Sequence, residues 1–176
     1  MNIAVNRYNR EEFVRLYIDY EFKKQCAGQL ASFKKGFERL VDKEALKSLL
    51  DSAELESLIC GQRTLNFAEL KETAIYGNGY TPDCVMMKWF WEIVLTEWDD
   101  EKRRKLLTFT TGSDRAPVNG LKSMKFYIIK EGDDDNKLPS SHTCFNQLCL
   151  PSYSRQEILR DKLQTAIDNS TGFGMV

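Results

Sequence analysis

The sequence predicts an α+β fold, in which a mainly helical first part is followed by helices packed on a small β-sheet. Apolar residues recur at three- and four-residue steps through the first half of the chain, which is typical of amphipathic helices. β-Forming residues that alternate in polarity come later, at residues 124–131. The chain has 176 residues, 42% hydrophobic and 11% aromatic, so one domain or two small lobes can bury a core.

Helix signals follow one another in the first part of the chain. Asn9 and Glu12 have the spacing of a capping box, and apolar residues follow them at helical steps. A second apolar stripe runs along residues 26–40. Asp51 then predicts the start of a short helix, which Gly61 ends.

Capping residues predict the next three helices. Asn66 marks the start of one helix, and an apolar helix follows Asp83. Asp99 or Asp100 caps a further helix, which we expect to end at Gly112.

Two short strands and a last helix complete the prediction. Residues 124–131 and 147–150 have the composition of strands, whereas the glycines and proline of residues 77–82 predict a turn. Ser154 and Glu157 have the spacing of another capping box, at the start of the final helix. The second part of the chain is therefore expected to hold a small sheet covered by helices.

Composition and charge exclude several classes of partner and location. The net charge is −1 and the charged residues are interspersed, which argues against binding to nucleic acid or to an anionic membrane surface. No apolar run is long enough to span a bilayer, and the first residues lack the apolar stretch of a secretory signal. We expect a cytoplasmic protein, with the nucleus as an alternative location.

The cysteines do not predict a disulfide framework or a metal site. The five cysteines are an odd number, and without an export signal reduced thiols are the default. There is no Cys-x-x-Cys pair, and the single histidine, His142, lies only two residues from Cys144. This spacing is poor for zinc. We expect neither a metal nor a cofactor.

Cys144 lies in an unusual polar segment, residues 138–146, which we read as a loop between a proline turn and a strand. Loops held by a rigid scaffold often carry reactive groups, whereas Cys26 on the apolar stripe is expected to be a buried hydrophobe. The simpler alternative is an unreactive loop thiol. A cysteine hydrolase is disfavoured, because side chains two apart in an extended segment do not bring their tips together and no second histidine exists.

Several segments resemble HECT-type ubiquitin ligases in order and spacing. The resemblance runs from about residue 3 to the end, and the cysteine segment is its most specific part. The matching blocks of the family's carboxyl lobe are YGNGYTPDCVMMKWFWEIV (76–94), FTTGSDRAPVNGL (109–121), LPSSHTCFNQLCLP (138–151) and the terminal GFGMV. LASFKKGFERLV (30–41) and ELESLICG (54–61) resemble the closing helices of the amino lobe.

The resemblance, together with the residues themselves, implies roles for four residues of the cysteine segment and for one residue of the tail. Cys144 would accept ubiquitin from an E2 enzyme as a glycyl thioester and pass it to a substrate lysine. His142 and Thr143 would either orient the carbonyl or shape the loop, and Phe145 would anchor the strand that follows. Phe173 matches a tail phenylalanine that the family uses in onward transfer.

The resemblance also implies how the chain divides. Residues 1–61 would be a helical remnant of the amino lobe, and residues 65–176 the carboxyl lobe with the catalytic cysteine. Gln62, Arg63 and Thr64 fall where the family has its hinge, which lets one thiol reach both the E2 and the substrate.

By this resemblance, we expect the first section of the amino lobe, which includes most of the E2-binding subdomain, to be missing from this sequence. E2-dependent activity of this chain alone is therefore in question. The opening helices should expose an apolar patch formed by Phe13, Leu16, Tyr17 and Phe22. Besides a ligase, two readings stay open: a non-catalytic module that binds ubiquitin or a partner, and a cysteine hydrolase.

Overall fold

The computed structural model describes residues 3–169, which form two compact units. The first unit ends at Asp51 and the second begins at Ser52. The boundary that the sequence predicts, at residues 62–64, lies inside the second unit.

The first unit consists of three helices. Helix α1 spans Arg10–Asp19 and continues into a π-helical turn at Tyr20–Lys24, α2 spans Ala27–Phe37 and α3 spans Lys43–Leu49. Helix α3 was not predicted, although Asp42 caps it by accepting bonds from the backbone N–H groups of Glu44 (2.9 Å) and Ala45 (3.2 Å). None of residues 3–51 is buried.

The predicted capping box at Asn9 is wrong, although Asn9 does occupy the N-cap position of α1. Its side chain turns away from the helix, accepting a hydrogen bond from the Asn6 N–H (2.7 Å) and donating one to the Ala4 carbonyl (3.1 Å). A competing local turn has therefore captured the capping side chain.

The exposure predicted for the first unit is confirmed. Phe13, Leu16, Tyr17 and Phe22 are between 48 and 73% exposed, and the rings of Phe13 and Tyr17 stack with centroids 6.0 Å apart. The expectation for Cys26 is wrong, because it is half-buried and its Sγ lies 3.7 Å from the Phe22 carbonyl oxygen.

Within residues 52–169, the second unit combines five helices with four strands. The helices are α4 (Ser52–Cys60), α5 (Phe67–Thr73), α6 (Val85–Glu92, followed by a π-helical turn at Ile93–Glu97), α7 (Asp100–Thr111) and α8 (Gln156–Asp168). The strands are β1 (Ile75–Gly77), β2 (Tyr127–Lys130), β3 (Ser140–His142) and β4 (Gln147–Leu150). The α+β prediction is confirmed.

The strands form one mixed sheet in the order β1-β2-β4-β3. Strands β1, β2 and β4 are parallel, and β3 pairs antiparallel with β4 at the edge. Helices α7 and α8 pack against each other, α6 packs on α8, and α7 also contacts β3 and β4. The core lies between these helices and the sheet, with Phe90, Trp91, Phe126, Ile128 and Leu148 among its buried side chains.

Most predicted caps of the second unit form. Asp99 accepts a bond from the Lys102 N–H (2.9 Å), Asn66 accepts one from the Ala68 N–H (3.2 Å), and Gly112 ends α7 in the left-handed region. The capping box at Ser154 is wrong, because its N–H (2.8 Å) and hydroxyl (2.6 Å) both donate to the Asp135 carboxylate.

Within residues 3–169 no helix combines the length and apolar character that a membrane crossing requires.

Candidate active site at the cysteine hairpin

Cys144 lies at the tip of a β-hairpin, which we call the cysteine hairpin and define as residues 140–150. Strands β3 and β4 pair so that His142 faces Gln147, and the four residues between them close the loop. Residues Thr143–Phe145 of this loop form one 3-10 turn. The sequence predicts a loop at residues 138–146, whereas the structure has strand β3 followed by a 3-10 turn in this segment.

Asn146 fixes the end of the loop. Its φ of 50° and ψ of 46° lie in the left-handed region, which asparagine tolerates better than most residues. Its N–H donates to the Thr143 carbonyl (3.2 Å) and its carbonyl accepts from the Tyr127 N–H (3.0 Å). Its side-chain Nδ2 donates to the Lys125 carbonyl (3.2 Å). The loop is therefore bonded both to itself and to the start of β2.

The thiol of Cys144 is exposed, and none of the hydrogen bonds found within residues 3–169 involves its sulfur. Phe145 is 67% exposed, so the expectation that it anchors the following strand is wrong. The anchoring residues are Leu148, Cys149 and Leu150, all of them buried. A large partner can approach the sulfur without any rearrangement of the hairpin.

His142 and Thr143 immediately precede Cys144 in the chain. His142 is exposed and Thr143 is half-buried. Below them, Glu131 pairs with Lys137 (3.1 Å) and accepts a hydrogen bond from the Ser140 hydroxyl (3.0 Å). Lys137, Ser140 and the nearby His142 together hold the pKa of the Glu131 carboxyl below its usual range. The strand leading to the thiol therefore has a carboxylate fixed beside it.

One buried tyrosine, Tyr80, holds the cysteine hairpin, and a second, Tyr153, holds the segment that leads into it. The Tyr80 hydroxyl donates to the Leu150 carbonyl (2.9 Å), and the Tyr153 hydroxyl donates to the Lys137 carbonyl (2.7 Å). Burial raises the pKa of both phenols well above the usual value, so both stay protonated donors. Sequence reasoning missed both residues, because a tyrosine pattern does not show which carbonyl the hydroxyl reaches.

The predicted hinge residues Gln62, Arg63 and Thr64 follow α4 and are held by the loop after α7. Gln62 and Ala116 exchange two backbone hydrogen bonds (2.8 and 3.0 Å), and the Gln62 side-chain amide donates to the Val118 carbonyl (2.5 Å). Gly61, with φ of +86°, makes this close approach possible, because a Cβ there would collide with the Ala116 carbonyl.

An ion cluster centred on Glu56 reinforces the same contact. The Glu56 carboxylate accepts bonds from Arg63 (2.7 Å) and Arg115 (3.2 Å), and these two guanidinium groups hold its pKa below the usual value. Arg104 adds bonds from α7 to the carbonyls of Arg63 and Asp114. No sequence signal pairs Arg115 with Glu56, which lies 59 positions earlier.

The end of α4, the 109–121 block and the cysteine hairpin meet at one surface groove of about 400 Å3. The residues that line it include Leu58 and Ile59 of α4, Pro117 and Val118 after α7, and Asn146 of the hairpin. The structure therefore brings together three of the segments that carry the family resemblance. Phe173, the remaining predicted site residue, lies outside the described residues.

Comparison with known proteins identifies the family of this chain. The family profile of the HECT domain (ubiquitin-transferase) matches residues 1–176, so the chain belongs to the HECT family.

Individual relatives are E3 ubiquitin ligases by name. The probable E3 ubiquitin-protein ligase HECTD2 of Homo sapiens is 42% identical over 173 residues, which cover 98% of this chain and 22% of that protein. The E3 ubiquitin-protein ligase NEDD4 of Homo sapiens is 38% identical over 177 residues, which cover 97% of this chain and 13% of that protein. The probable E3 ubiquitin-protein ligase HUL4 of Eremothecium gossypii is 38% identical over 173 residues, which cover 97% of this chain and 20% of that protein. The chain thus spans less than a quarter of the length of these relatives.

Proposed function

We propose that this chain is the transferring part of an E3 ubiquitin ligase, in which Cys144 accepts ubiquitin from an E2 as a thioester and passes it to a substrate lysine. The observation that carries the proposal is the exposed thiol at the tip of a braced hairpin in a HECT-family chain. Ubiquitin, a ubiquitin-loaded E2 and a protein substrate are the proposed partners, and the cytoplasm, with the nucleus as alternative, is the proposed location.

The chemistry suits a site without a strongly activating neighbour. Thioester-to-thioester exchange is close to energy-neutral, so the attacking thiol needs no extreme activation. The second step needs a neutral lysine amine, because an ammonium has no lone pair with which to attack. Positioning of the partners can supply much of the rate, and the bonds of Asn146 and the two tyrosines keep the thiol in place. His142 and Thr143 are proposed to orient the thioester carbonyl or to shape the loop.

We further propose that residues 62–64 act as a hinge, with Glu56, Arg63 and Arg115 stabilising one of its positions. Hinges are short segments that absorb backbone rotation, and a thiol that visits two partners needs one. The polar character of the Glu56 cluster supports this role, because exposed ion pairs cost little to break and reform.

To test the proposal, the full-length gene product is incubated with E1, a panel of E2s and ubiquitin. Formation of a ubiquitin adduct is then followed on non-reducing gels. We expect a thiol-sensitive adduct that Cys144→Ser converts to a thiol-resistant oxyester or abolishes. Cys60→Ser is the matched control, because Cys60 is also exposed but lies outside the hairpin, and it should leave the adduct unchanged. A thiol-sensitive adduct that persists in Cys144→Ala would refute the assignment.

A second candidate, a non-catalytic binding module, is favoured by the exposed apolar residues of the first unit. Binding of ubiquitin or a partner that survives Cys144→Ala, without any adduct at high E2 concentration, would support it. Release of free ubiquitin from a thioester without an acceptor lysine would instead indicate hydrolysis.

A further inference from the structure

Glu131 lies at the base of the cysteine hairpin, where β3 begins and β4 ends. Its backbone N–H donates to the carbonyl of Leu150, the last residue of β4 (3.1 Å). Its carboxylate accepts a hydrogen bond from the hydroxyl of Ser140, the first residue of β3 (3.0 Å). Ser140 is itself aligned with Cys149 of β4. Glu131 therefore binds both strands of the hairpin, at the end opposite Cys144.

Strand β3 has few hydrogen-bonding partners. It is three residues long, lies at the edge of the sheet, pairs with β4 alone and packs against α7. The bond from Ser140 to Glu131 is the one side-chain hydrogen bond found for β3 within residues 3–169. Short edge strands open easily, because one row of their backbone groups has no partner strand. The position of β3, and of the turn that carries Cys144, thus depends on Glu131.

The Glu131 carboxylate is held in the orientation that this contact needs. Its Oε1 pairs with the Lys137 ammonium (3.1 Å), which leaves Oε2 for the Ser140 hydroxyl. The carbonyl of Lys137 in turn accepts the hydrogen bond from the Tyr153 hydroxyl (2.7 Å). The side chains of Lys137 and Glu131 are 44 and 40% exposed, so their ion pair adds little to the free energy of unfolding. The effect of Glu131 is therefore on the geometry of the hairpin more than on folding.

We propose that Glu131 is a positioning residue for ubiquitin transfer, which acts through Ser140 to fix the base of the cysteine hairpin and so the direction in which Cys144 presents its thioester. This inference rests on the proposed function. Attack by an amine needs the thioester carbonyl at a defined distance and angle, and a small displacement lowers the rate strongly. Glu131 makes no bond to the Cys144 sulfur within the described residues, so its influence passes through the strand.

The experiment is a single-turnover discharge assay with the full-length gene product. The ligase is loaded with ubiquitin, E1 is quenched, free lysine is added, and the loss of the reducible adduct is followed with time. We expect Glu131→Ala to lower the discharge rate constant about ten-fold. Glu131→Gln should stay within about two-fold of the wild type, because its amide oxygen can still accept from Ser140. Ser140→Ala should be as slow as Glu131→Ala, and the double variant no slower, because the two residues form one contact.

Asp133→Ala is the matched control. Asp133 is a carboxylate of the same turn, but it pairs with Lys130 (2.5 Å) and makes no bond to the hairpin within residues 3–169. This variant should discharge at the wild-type rate.

Hydrogen–deuterium exchange gives an independent measure of the position of β3. Peptides that cover residues 138–146 should exchange faster in Glu131→Ala and return to the wild-type rate in Glu131→Gln. The midpoint of urea unfolding should stay nearly unchanged in both variants, because the contact is partly exposed.

Three outcomes would overturn the assignment while leaving the proposed function intact: a wild-type discharge rate in Glu131→Ala, an equal loss of rate in Glu131→Gln, or a double variant slowed by the product of the two single effects. A loss of global stability large enough to account for the slower discharge would likewise overturn it. Failure of the proposed function itself is distinguishable, because the reducible adduct would then be missing from the wild-type protein.

Discussion

At the scale of single residues, Asn146 decides the geometry around the thiol. It combines a left-handed backbone with hydrogen bonds to the loop and to β2. The Cys144 sulfur has no such bonds within the described residues, so its position depends on this neighbour. A residue with no proposed role in the chemistry therefore positions the candidate nucleophile.

Substitutions of Asn146 should separate backbone strain from the lost side-chain bond. Both Asn146→Gly and Asn146→Ala remove the side-chain bond to the Lys125 carbonyl. The glycine variant also removes the Cβ, whereas the alanine variant keeps a Cβ in the left-handed region without a polar side chain to compensate, which costs roughly 1–2 kcal/mol. We expect the free energy of unfolding to fall in the order wild type, Gly variant, Ala variant, as measured by urea denaturation. Equal stability of the two variants would show that the left-handed conformation is not maintained.

The identity of the candidate nucleophile could be predicted from the sequence, but its surroundings could not. Cys144 is distinguished by its polar segment, residues 138–146, and by the neighbouring segments that resemble the HECT family. Phe145 was misread, because an aromatic residue before a strand resembles an anchor until its exposure is known. Tyr80 and Tyr153 act through single hydroxyl bonds to distant carbonyls, which leave no trace in the local pattern.

At the scale of elements, the backbone after α4 pairs with the loop after α7, and Gly61 allows this close approach. Gly61 and Gly112 both end helices with positive φ, +86° and +79°, but their surroundings differ. An added Cβ meets the Ala116 carbonyl at Gly61 and nothing within 4 Å at Gly112. The two sites thus form a natural pair for comparison.

Alanine at these two glycines should have unequal effects. Gly112→Ala should cost roughly 1–2 kcal/mol from backbone strain alone. Gly61→Ala should cost more, because it also forces apart the paired backbones of Gln62 and Ala116. Unfolding can be followed by tryptophan fluorescence, because Trp91 and Trp98 are buried in the same unit. A loss at Gly61 no larger than at Gly112 would contradict the close contact.

The helices of the second unit and its two longer strands could be predicted, whereas the three-residue strands β1 and β3 could not. Caps such as Asp99 and the alternation along residues 124–131 are local signals. Strands of three residues carry no measurable period, and β1 and β3 exist because β2 and β4 offer them an edge. The capping boxes at Asn9 and Ser154 failed because nearby partners, the Asn6 turn and Asp135, competed for the same side chains.

At the scale of the whole molecule, burial is distributed very unevenly. All of the buried side chains found in residues 3–169 lie in the second unit, and the helices of the first unit keep large apolar side chains at the surface. Local stability follows buried apolar contact, so the two units should open with very different free energies.

Limited proteolysis should reveal this difference. Brief trypsin treatment should first cut at exposed lysines and arginines before residue 51, such as Lys43 and Lys47, and leave a resistant fragment that contains α6–α8. Mass spectrometry of the products gives the order of cleavage. Cleavage within α6–α8 as fast as in α1–α3 would show that the second unit lacks the protection that its core implies.

The pairing of β3 with β4 has a consequence for insertions and deletions. Leu148, Cys149 and Leu150 are buried on both faces of the sheet, so a strand shifted by one position would carry the polar Gln147 into the interior. The four residues between His142 and Gln147 can therefore vary in identity far more readily than in number. Adding one residue beside Cys144 would displace the candidate nucleophile and also disrupt a hydrophobic layer.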